Sequence, residues 1–124
     1  MPVLNETLHA GGFLLSGNYD GSKISVDQIV IASGAGVLAT GAVLGKITAS
    51  GKFTVLAPGA SDGSQIAAGI LWASVDATSA DAVATAVTRD AEVTGGELTW
   101  PGGITGPQKT TAIGQLAVNA VVVR

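Results

Sequence analysis

Apolar residues in this chain come in short runs, and turn-forming residues interrupt them at intervals of roughly ten positions. Ile24 and Val26 alternate with Lys23, Ser25 and Asp27, the pattern of a half-buried strand. The alternation slips at Ile29-Val30-Ile31, which predicts a bulge or a fully buried strand end. Asn18-Tyr19-Asp20-Gly21, Ser33-Gly34-Ala35-Gly36, Pro58-Gly59 and Asp62-Gly63 mark turns, because these residues supply the dihedrals that turns need. Between them, Val37-Leu38, Ala42-Val43-Leu44 and Lys52 to Ala57 are further short extended pieces.

Ile66 to Val75 is almost wholly apolar, but Gly69 inside it makes a poor isolated helix. Ala82 to Val87 is balanced between states. Ser79 is a candidate helix cap and alanine favours a helix, while valine and threonine favour a strand. Glu97, Leu98, Thr99 and Trp100 alternate before the break at Pro101-Gly102-Gly103. The best helix candidate is Pro107 to Leu116, with proline at its first turn and Ala112, Ile113 and Leu116 on one face. Val118 to Val123 closes the chain as a strand. Many short strands with one short helix predict a mainly antiparallel β domain.

Composition sharpens this picture. Only 12% of the residues are charged and 18 are glycine, against about 25% and about 7% in ordinary domains. Fifteen charged side chains cannot cover the roughly 6,000 Å² that a chain of this mass exposes. The surface is therefore largely neutral or apolar, which marks a surface that a partner covers. A net charge of −3, with the six basic residues scattered singly, excludes a nucleic-acid footprint. Without cysteine there are no disulfides, thiolate metal sites or cysteine nucleophiles. Gln28 to Gly45 is uncharged for 18 residues, but its four glycines, Ser33 and Thr40 argue against a membrane span.

The local motifs carry little chemistry. Gly34-Ala35-Gly36-Val37-Leu38-Ala39 has the glycine spacing of a dinucleotide loop, yet no acid lies between Asp27 and Asp62 to hold a ribose. A glycine-rich β turn is the better reading. His9 is the sole histidine, and the local sequence indicates no Ser/His/Asp arrangement around it. Asp76, Asp81 and Asp90 lack the alternate spacing of a calcium loop. No catalytic residue, cofactor or metal is expected. Trp72 and Trp100 are the most informative aromatics: core, subunit interface or sugar-stacking platform are the options they leave.

Three stretches supply a resemblance. They are Ser50-Gly51-Lys52-Phe53-Thr54-Val55 with Ser61-Asp62-Gly63, then Ala68 to Asp76 around Trp72, then Glu97-Leu98-Thr99-Trp100-Pro101 with Lys109-Thr110-Thr111-Ala112-Ile113 downstream. In order and spacing they are similar to the head decoration proteins of tailed bacteriophages, the lambda protein D type, across residues 50–124. Gly11-Gly12-Phe13-Leu14-Leu15 and Gly34 to Lys46 look like longer members, and a glycine-rich insert around residues 28–49 departs from the shorter ones.

The resemblance implies a β-clip or β-tulip domain with little helix, and makes Ala82 to Val87 a strand. It implies a homotrimer on the outer surface of the expanded head, held by the major capsid protein, with no nucleic acid or membrane partner. It divides the chain into an N-terminal capsid-binding arm, residues 1–20, and a single domain, residues 21–124. Val3, Leu4, Asn5, Thr7, Leu8, Phe13, Leu14 and Leu15 are the expected arm contacts. Gly69, Ile70, Leu71, Trp72, Trp100 and Pro101 are the expected core or trimer-interface residues. The competing function is a carbohydrate-binding or adhesin module that uses Trp72 or Trp100. A small trimeric nucleotide hydrolase is a third possibility, for which no site residues can be assigned.

Overall fold

A computed structural model describes residues 9–16 and 25–124. Ten short strands and one helix follow in the order β1 Leu14–Ser16, β2 Val26–Ile31, β3 Gly36–Leu38, β4 Val43–Lys46, β5 Phe53–Val55, β6 Ala67–Leu71, β7 Val75–Ala77, β8 Ala82–Val87, β9 Ala91–Val93, α1 Gly106–Val118 and β10 Val121–Val123. The expected mainly-β domain with one helix near its C-terminus is what the chain forms. Strands β2-β5-β4-β6-β8 close a barrel, β1-β9-β10 form a three-stranded sheet, and β3-β7 form a ribbon.

Two cores explain why the apolar runs read poorly as simple alternation. Ile29, Ile31, Leu44, Phe53, Leu71 and Ala86 meet inside the barrel, so every barrel strand contributes to one cluster. Val43, Ile70 and Val87, each next in sequence to one of those residues, point the other way. They pack beneath the three-stranded sheet and α1, with Phe13, Val93, Ala112, Leu116 and Val121. Strands β4 and β6, and β8 at its Ala86-Val87 end, are thus buried on both faces, which turns the period-2 signal there into a continuous apolar run.

Several local expectations are corrected. The register of β2 on β8 runs unbroken from Val26↔Val87 to Ile31↔Ala82, so no bulge occurs at Ile29-Val30-Ile31. The slip arises because Val30 points outward while Ile29 and Ile31 are core. The sheets are not wholly antiparallel: β10 runs parallel to β9, and β2 parallel to β5. Ile66 to Val75 supplies β6 and the start of β7. Glu97 ends a single 3-10 turn, Gly95–Glu97, after which Thr99 bridges Ala42. Val118 ends the helix rather than opening the last strand.

The helix begins one residue before Pro107. Thr105 and Gln108 form a reciprocal capping box, in which the Thr105 hydroxyl accepts from the Gln108 N–H and the Gln108 side chain accepts from the Thr105 N–H. Its carboxyl end turns through Asn119 and Ala120, the latter at φ 59, and this reversal lays β10 alongside β9. Ala82 to Val87 is a strand. It pairs with β2 on one side and β6 on the other, and those ladders override the local alanine preference. No helix among the described residues is long and apolar enough to cross a membrane.

Candidate functional site

Of the residues expected to contact partners, several are core residues of the protomer. Ile70 and Leu71 are fully buried, and a Cβ on Gly69 would come within 3.1 Å of the Val87 carbonyl. Phe13 is also buried, edge-on to Trp72 with ring centroids 6.1 Å apart. Leu14 is half-buried and pairs with Val93, and Leu15 is exposed. Residues 13–16 therefore belong to the folded domain. Val3, Leu4, Asn5, Thr7 and Leu8 lie outside the described residues.

Neither tryptophan is a bare stacking platform. Trp72 is half-buried; its carbonyl accepts from the Gly11 N–H at 2.9 Å, and a Cβ on Gly11 would collide with its ring. Trp100 is half-buried against the core, with the Lys109 ammonium 5.8 Å from its ring centroid. Pro101 is half-buried beside it. This packing favours a structural role for both rings over sugar stacking.

The carboxylates secure loops and strand ends. Thr78 donates its hydroxyl and N–H to Asp76, and Ser64 does the same to Asp62, which lowers both carboxyl pKa values. Lys52 and the Ser33 N–H lower that of Asp81. Arg89 and the Thr88 hydroxyl lower that of Asp27. These four carboxylates are all held below the usual carboxylate range, opposite to the shift of a general acid. Gly34 donates to the Ala77 carbonyl and Gly36, at φ 84, opens β3, so the Gly34–Ala39 motif turns into a strand rather than a phosphate-binding helix. Among the described residues, no group of histidine and carboxylate side chains has metal-site geometry.

The surface itself is the notable feature. Leu15 and Val122 are exposed on strands that flank β9, and Val118 is exposed at the helix end. Val30 and Val83 oppose each other on the outside of the barrel, also exposed. They border a groove of about 560 Å³ that Asp27–Val30 share with Lys46 and the Ser50–Phe53 turn. Sequence reasoning missed this groove, because its walls come from three segments far apart in the chain.

A search of curated proteins finds no match for this chain. The family model described as bacteriophage lambda head decoration protein D matches residues 3–121, a range that includes the glycine-rich stretch around residues 28–49. With an all-but-complete match on a mainly-β domain whose neutral surface calls for a partner, the chain belongs to the bacteriophage lambda head decoration protein D family.

Proposed function

We propose that this protein decorates the outside of an expanded phage head as a homotrimer and stabilises the shell. The family match over residues 3–121 carries the reading. The shortage of charge and the exposed Val37, Val83 and Val118 support it, since a shared surface is where such residues become covered. The capsid-binding arm is best drawn before the domain. Phe13 is too deeply buried to leave, so Val3, Leu4, Asn5, Thr7 and Leu8 are its contacts, with Leu15 at its root.

Physically, a trimer that binds only the expanded shell adds its binding free energy to that state alone and shifts the equilibrium toward it. Three linked contacts give avidity, so each can be individually weak. The arm adds as a strand to a capsid sheet edge, a mode that rests on main-chain pairing and asks little of side chains. β1, from which the arm departs, is itself an edge strand of its sheet.

The test uses expanded heads that lack decoration protein. Light scattering should show a trimer in solution, and saturating binding should raise the temperature at which the heads break. Deleting residues 2–8 retains Phe13 and should leave fold and trimer intact while head attachment is mostly lost. An intact protein that binds no cognate head would refute the function, and undiminished attachment after the deletion would refute the arm.

A further inference from the structure

Among the described residues, β2 has a strand along the whole of one side and only a single bridge on the other. The Thr88 N–H donates to the Ser25 carbonyl, and the same register continues to Ile31↔Ala82. Antiparallel bonding alternates, so Asp27, Ile29 and Ile31 turn their main-chain groups to β8, and Gln28 turns its own away. Ala32, in the same parity as Gln28, shows where that side leads: its N–H donates to the Phe53 carbonyl of β5. Parallel pairing stops there, at Ile31↔Phe53.

The chain before Phe53 bends away from β2. Gly51, at φ 72, donates to the Ile47 carbonyl, and the Ile47 N–H donates to the Lys52 carbonyl, which closes the β4–β5 turn. The Gln28 N–H and C=O consequently face the groove of about 560 Å³. An open strand edge of this kind is a template for another strand.

The groove's charges provide a separate observation. Lys52 is paired with Asp81 at 2.7 Å, and Asp27 is paired with Arg89. Lys46 extends along the groove with its ammonium 5.9 Å from the Phe53 ring centroid, and no carboxylate lies within ion-pair distance of it among the described residues. Among the described residues the groove therefore carries a net positive charge centred on Lys46, which reaches Asp27 only at longer range, on a chain of net charge −3. Val30 and Val83 give it an apolar lip.

We infer that this groove receives an extended segment of the capsid protein, which adds to the open edge of β2 and sets a carboxylate against Lys46. The choice of partner rests on the proposed capsid role; the place rests on the β2 edge and on Lys46. Main-chain pairing selects an extended segment, the Lys46 ammonium selects an acidic residue in it, and the valines favour an apolar neighbour. The contact is separate from the N-terminal arm. The arm lends a strand to the shell, whereas β2 borrows one.

Because the chain has no cysteine, Gln28→Cys gives one attachment point for a benzophenone maleimide. The labelled full-length protein is bound to expanded heads, irradiated and digested for mass spectrometry, with Gly102→Cys as the distant control. A Gln28 crosslink to a capsid-protein peptide containing Asp or Glu, absent from the control, is the expected result. If the label itself abolishes attachment while unlabelled Gln28→Cys binds normally, the groove is equally shown to be occupied. Lys46→Glu should raise the half-saturating concentration on heads about tenfold, and Lys46→Arg should stay within about twofold of the parent. Thermal melts of each variant separate docking from folding. Crosslinks only to a second copy of this chain, no crosslink from bound protein, or unchanged affinity in Lys46→Glu overturn the inference and leave the capsid role standing. Failure of the unmodified chain to bind heads removes both.

Discussion

Replacing Phe13 with alanine tests whether the start of the chain is arm or domain. The ring is 1% exposed and lies edge-on to Trp72, so its removal forfeits both burial and an aromatic contact. Large-to-small changes of this kind cost about 3–5 kcal/mol, because the surroundings only partly close the cavity. With a urea dependence of about 2 kcal/mol per molar for a domain of this size, the unfolding midpoint should fall by roughly 2 M. Leu15→Ala, two positions along and 47% exposed, should cost less than about 1 kcal/mol. Both variants are measured by tryptophan fluorescence at one fixed protein concentration, since subunit association would otherwise shift the midpoints. Equal losses, or a loss below about 1 kcal/mol for Phe13→Ala, would mean that β1 is not docked on the second core.

Other perturbations test separate parts of the structure. A Cβ on Gly45 would lie 2.1 Å from the Ser64 carbonyl oxygen, a backbone atom that cannot step aside, so Gly45→Ala should destabilise by about 1–3 kcal/mol or more. Gly102→Ala, with open space around it, should be nearly neutral in the same melts. Thr105→Ala removes the capping hydroxyl of α1 and should cost about 1 kcal/mol, read from the urea midpoint. Asp27, Asp62, Asp76 and Asp81 all sit below 3.8 in the folded chain, so folding favours their ionised forms. Their contribution is complete above that value and is lost as pH falls through the lowered ones, so urea midpoints should drop below about pH 4. An Asp62→Asn, Asp76→Asn double variant keeps an acceptor oxygen at each turn but cannot titrate, and should show a shallower drop.

The features that the sequence determined by itself are local ones. Turn residues such as Asp62-Gly63 and Ser33-Gly34 end strands through their own dihedrals, and Pro107 with Ala112 and Leu116 shows the helix within a few turns. Low charge already called for a covering partner, and the ordered motifs after residue 50 pointed to the family that the match over residues 3–121 shows.

Tertiary structure decided whatever depends on which segments meet. Val30 interrupts an apolar triplet by pointing outward, and Val43 and Leu44 enter different cores, so no single periodicity describes these strands. Ala82 to Val87 is a strand because β2 and β6 flank it, not because its residues prefer that state. Phe13 is core because Trp72 lies opposite it, some sixty positions along the chain. The groove beside Gln28 exists because a turn at Gly51 draws β5 away from β2. Periodicity and turn chemistry act over a few residues and leave a direct mark in the sequence. The pairing of distant strands depends on the long-range contacts that pay for loop closure, and those contacts exist only once the chain has folded.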